Sequence, residues 1–110
     1  MTKIYRGFNE GGNTASPHLI TVTDGLNERL LEHHVKHSPT GLSWGYAGSG
    51  PADLARSILW DYFGEEPHPG AYQALKRDFV ALWPQDGNWV LTSDEIAQWL
   101  QTYEGSALLE

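Results

Sequence analysis

Residues Trp44 to Pro51, WGYAGSGP, place Gly45, Gly48 and Gly50 immediately before the apparent start of a helix. Glycines in series let backbone amides converge, and a helix N-terminus carries a partial positive charge. Such a turn can accept a phosphate or a carboxylate. Ser49 adds a hydroxyl, and Trp44 and Tyr46 can stack on a planar group if their strand exposes them. The spacing is not that of a P-loop, which needs Gly-Lys followed by Ser or Thr. Nor is it the dinucleotide fingerprint, which needs a parallel βαβ unit. The competing reading is a tight turn in which the glycines avoid clashes and the aromatic rings fill core.

HSPTG, from His37 to Gly41, precedes this turn. Its hydroxyls, Ser38 and Thr40, can reach a ligand held by the glycines if the two loops meet, or can bond the local backbone. His33, His34 and His37 include pairs at i+3 and i+4. On a helix, His33 and His37 share a face and can bind a transition metal. A third ligand has to come from elsewhere, and no H-E-x-x-H pattern occurs, so the residues assign no metal and no cofactor. There is no G-x-S-x-G elbow for a serine nucleophile, and Ser49 reads as a helix cap. Glu65-Glu66 falls in an interhelix loop and Asp94-Glu95 in a helix's first turn, where acids complement the dipole.

Composition excludes several classes. The chain has no cysteine, which removes disulfides, thiolate zinc sites and cysteine nucleophiles. Seven basic residues against fourteen acidic ones give −7, and only Lys76-Arg77 are adjacent cations. Direct nucleic-acid binding needs a basic face and is disfavoured. No apolar run reaches the length of a bilayer span, and MTKIYRGFNE lacks the apolar core of a signal peptide. The expectation is a cytoplasmic protein with no membrane contact. Its 110 residues support one domain. Five tryptophans are many for that length, and Trp60 falls off the stripe of its helix, either exposed or facing a second layer.

The positioning elements divide the chain at about residue 46. KIYRGF and HLITVTDG read as two strands of a hairpin, with a Gly/Asn/Ser/Pro loop between them and Asp24-Gly25 as the next turn. Leu26 to His37 fits a short helix, a strand or an extended crossing equally well. Leu42 to Tyr46 reads as a third strand. Three helices follow. The first begins near Ser49 with Pro51 in its first turn, buries Leu54, Ala55, Ile58, Leu59 and Tyr62, and stops at Gly64. The second runs from about Gly70 to Trp83, with Tyr72, Leu75, Phe79 and Leu82 inward. A turn and a short extended piece lead to the third, which opens on Thr92 and Glu95 as a capping box and turns Ile96, Trp99, Leu100 and Tyr103 inward. The sum is α+β, a small antiparallel sheet of about three strands with three helices on one face.

The run HSPTGLSWGYAGSGPADL resembles a family of small bacterial, phage and plasmid-type proteins of unknown function. Members carry a similar Ser-Pro-Thr-Gly, Trp-Gly-Tyr and Gly-Ser-Gly-Pro-Ala sequence. KIYRG, YQALKRDFV and WVLTSDEIAQWL have weaker counterparts. Ala47 stands where the family pattern often has glycine, and alanine there is strained if the turn needs positive φ. The resemblance implies no activity. It implies a setting in mobile-element-type genomes and an accessory or host-interaction role.

These readings converge on a non-catalytic binding protein. Its surface would comprise Ser38, Thr40, Trp44, Tyr46, Gly48, Ser49, Gly50 and Asp53, and its guest a small anionic ligand or an unidentified protein. One alternative is an enzyme acting on a phosphorylated or nucleotide-like molecule, with His37 as acid/base and Asp53 as its orienter. Another is an acidic decoy for a nucleic-acid-binding partner. The oligomeric state is not encoded in any pattern here.

Overall fold

The structure, a computed structural model, describes residues 2–9, 18–39 and 41–108, with side chains over 2–9, 19–39 and 41–102. The chain order is β1 (Lys3–Asn9), β2 (His18–Asp24), β3 (Asn27–Leu30), α1 (Ser49–Phe63), α2 (Pro69–Asp78), a 3-10 turn (Val80–Leu82), β4 (Trp89–Thr92) and α3 (Ser93–Leu108). The sheet is antiparallel throughout, in the order β3-β2-β1-β4.

The expected first hairpin forms, with Tyr5 opposite Val22 and both facing the core. Its tip, residues 10–17, lies outside the described residues. Asp24-Gly25 also turns as expected. Gly25 has φ 64 and is the first of two loop residues, as in a type II′ hairpin. The open choice over Leu26 to His37 resolves as strand and then an extended strap. Leu26 and Leu30 are exposed, so they supply no inward helical stripe, while residues 27–30 pair with β2.

Three expectations are corrected. Leu42 to Tyr46 is not a strand: Gly45 has φ 89, which breaks an extended ladder, and its N–H bonds Val80 O at 3.0 Å. The extended piece before α3 supplies the fourth strand instead, as β4 beside β1. The second helix ends at Asp78, because Phe79 leaves helical geometry (φ −129). Leu82 then lies in the 3-10 turn, 74% exposed and not inward.

Helix α1 is the centre of the domain. Every residue from Gly50 to Leu59 is buried, including Asp53, Arg56 and Ser57. Leu54, Ile58 and Leu59 pack with the sheet's Tyr5, Val22 and Leu91. Helix α1 ends at Gly64, whose φ of 76 lets its N–H return to Trp60 O. Asp61, near its C-terminus, ties the helix to the sheet. It accepts hydrogen bonds from Tyr5 Oη at 2.8 Å and Lys3 Nζ at 3.3 Å, and pairs with Arg29. Burial works against the ionised Asp61, but the bonds from Arg29 and Tyr5 and the charge of Lys3 outweigh it and hold its carboxyl below the usual range. The capping box forms as expected. Glu95 N–H donates to Thr92 Oγ1, and Thr92 N–H donates back to Glu95 Oε1. Ile96 and Leu100 are buried, while Tyr103 lies outside the described side chains.

Candidate functional site

Each glycine of the expected anion turn makes room for a neighbour. A Cβ on Gly45 would stand 2.5 Å from Gln85 Cα. One on Gly48 would stand 2.5 Å from the Tyr46 ring, and one on Gly50 would collide with Ser43 Oγ. Ser43 and Tyr46 join their hydroxyls at 2.8 Å, so this pair lies against the opening of α1. Gly48 is the N-cap residue, with no side-chain cap, and Ser49 is the first helical residue. That corrects the reading of Ser49 as the cap. Ala47 is unstrained, because positive φ among the described residues occurs only at glycine.

Trp44 and Tyr46 part company. Trp44 was expected to offer its ring to a ligand, but it is fully buried. Its Nε1 donates to Pro84 O at 2.9 Å and Gly87 O at 3.1 Å, and its ring meets Trp89 edge-on. An indole has one donor and a large apolar body, and the core satisfies both. Tyr46 remains 43% exposed.

Asp53 and Ser38 are brought together, as fastening rather than as open ligand groups. The strap from Leu31 to Ser38 lies along α1. The Asp53 carboxylate accepts the N–H groups of Lys36, His37 and Ser38 at 2.9–3.1 Å, and His33 Nε2 lies 2.9 Å away. Ser38 Oγ donates to Gly41 O, closing its own turn. Thr40 lies outside the described residues. Burial penalises the Asp53 charge, but the His33 bond and three amides outweigh it and hold the carboxyl at about 2. A folded value below the unfolded one, about 3.9, stabilises the fold above pH 4. That contribution is lost as pH falls toward 2. We therefore expect acid unfolding in which Asp53 accounts for about 2 kcal/mol. Urea titrations between about pH 5 and 2 should show the gap between wild type and Asp53→Asn closing by that amount. A constant gap would refute it.

The histidines do not form the metal face a helix would give. His33 meets Asp53, while the His37 ring meets Tyr72 Oη at 2.6 Å. Among the described residues no group of three metal-capable side chains assembles. The His37 ring is therefore not oriented by the Asp53 carboxylate, which receives only the His37 backbone.

Sequence reasoning missed the surroundings of Trp60. Its ring stacks on His34 at 3.9 Å, and the Arg56 guanidinium lies 4.8 Å from its centre. Arg56 donates to His34 O and to Glu66. The available signals were the off-stripe position of Trp60 and the i, i+4 spacing from Arg56. Beside this stack lies a shallow recess of about 360 Å³ whose walls include Arg29, Ser57 and Asp61.

A second concavity adjoins the glycine turn. Ala47 forms one wall of an open groove of about 420 Å³, completed by Gly70, Gln73, Ala74, Lys76, Arg77 and Ala81. The fold thus sets the chain's one adjacent cation pair beside the turn that sequence analysis singled out. Lys76 has no ion pair or hydrogen bond among the described residues. Arg77 pairs with Asp78 at 3.0 Å.

These features define a small α+β domain with a strap-clamped central helix and a cation-edged groove. The chain belongs to DUF6166, a family of unknown function, whose model matches residues 5–102. That span takes in all of α1, α2 and β4 and the first part of α3. The chain finds no match among curated proteins and none among solved structures. No helix of the described residues is long and apolar enough to cross a membrane.

Proposed function

We propose that this chain is a non-catalytic binding module that holds an anionic group of its partner in the groove between the glycine turn and α2. The observation that carries the reading is the meeting of Ala47 with Lys76 and Arg77 across a concave surface. Cations in the last turn of a helix also offset its dipole, but that role needs no groove. Tyr46, next to Ala47 in sequence, is partly exposed, an aromatic surface of the kind common at interfaces. The enzyme reading rested on His37 oriented by Asp53, and those two groups are committed to Tyr72 and to the strap's amides.

The test is a ¹H–¹⁵N NMR titration of the protein with two probes, sodium pyrophosphate and a glutamate-containing peptide. At least one should shift the amides of Ala47, Ala74 and Lys76. Lys76→Glu should remove the response while changing stability by no more than about 0.5 kcal/mol, as for most surface substitutions. Shifts absent with both probes, or confined to another face, would end the proposal.

A further inference from the structure

The groove's lining says more about its guest than that it is anionic. A phosphate-bearing small molecule is usually held by converging backbone amides and several charges. Here only Ala47 of the glycine turn lines the groove, and the Gly45 amide is spent on Val80 O. Arg77 is shared with Asp78, so of the two cations that line the groove Lys76 is the uncommitted one. One such charge suits one carboxylate. The rest of the lining is Ala47, Gly70, Gln73, Ala74 and Ala81, small and apolar apart from the Gln73 amide. Small residues let a chain approach closely, and the stem of Lys76 can cover apolar surface while its ammonium stays at the edge.

From this we infer that the occupant is a segment of a partner protein carrying a carboxylate beside short aliphatic side chains. Charge complementarity with Lys76 selects the sign, and the alanine floor selects the body. The inference rests on the binding reading above and narrows it.

Three probes separate the possibilities in the same NMR titration: an end-blocked peptide of Glu, Leu and Ala, its counterpart with Lys in place of Glu, and pyrophosphate. The Glu peptide should shift Ala47, Ala74, Lys76 and Ala81 with a Kd at least about tenfold below that of the other two, a gap of about 1.4 kcal/mol. Lys76→Met, which keeps the stem and removes the charge, should weaken the peptide about three- to tenfold. Ala47→Glu, at an exposed wall, should weaken it at least as much without lowering the melting temperature. If pyrophosphate binds as tightly as the peptide, this inference fails and the anion-binding reading survives. If the Lys peptide binds equally well, charge selection fails with it. If no probe shifts the groove, both readings fall together.

Discussion

Asp53→Ala is expected to cost about 3–5 kcal/mol of unfolding free energy, the largest loss for a single polar residue in this domain. The carboxylate is wholly buried, and it is the acceptor for three consecutive strap amides and a histidine. Alanine leaves those donors facing a cavity. Each unsatisfied buried donor costs about 1–3 kcal/mol, reduced where the strap can lift into water. Asparagine separates charge from geometry. Its oxygen can take the Oδ2 position, which faces His33, Lys36 and Ser38. Its amide nitrogen then faces the His37 N–H, donor against donor. Asp53→Asn should therefore lose less than Asp53→Ala but well over 1 kcal/mol. Urea unfolding followed by circular dichroism measures both. A loss under about 1 kcal/mol for the alanine variant would mean that the strap holds itself without the carboxylate.

The same clamp shows why the site was only partly legible in the sequence. Elements with local causes were readable. A glycine at a two-residue turn, Pro51 and Gly64 at the two ends of α1, and Thr92 with Glu95 each act within a few residues, and each appears where expected. Asp53 acts on partners 15 to 20 positions earlier, in a strap with no periodic pattern. Nothing near Asp53 in sequence announces that role. Gly45, Gly48 and Gly50 were visible as important but ambiguous. Glycine permits both an exposed amide and a close neighbour, and the close neighbours, Gln85, Tyr46 and Ser43, come into view only in the fold. Lys76 and Arg77 were visible as the one cation pair, while their meeting with Ala47 depends on how α2 lies beside the turn. Strand β4 was read as extended, but its pairing partner was hidden more than eighty residues upstream.

Trp44 offers the decisive contrast between a turn that binds and a turn that packs. A ligand platform can be removed with little change in stability, because its faces meet solvent when no guest is present. A core indole cannot. Trp44→Ala is expected to cost about 3–5 kcal/mol, the range for deleting a buried aromatic side chain. Trp44→Phe keeps most of the apolar volume and removes Nε1. It leaves the carbonyls of Pro84 and Gly87 without their indole donor and should cost about 1–3 kcal/mol. Those carbonyls belong to the turn that leads into β4, so the damage should reach the sheet edge. Amide exchange should speed at Trp89 to Thr92 in Trp44→Phe, beyond any change in α3's cap. Near-wild-type stability for Trp44→Ala in chemical denaturation would reverse the assignment. The ring would then return to the exposed surface of the glycine turn, and the case for placing the partner in the neighbouring groove would have to be rebuilt around it.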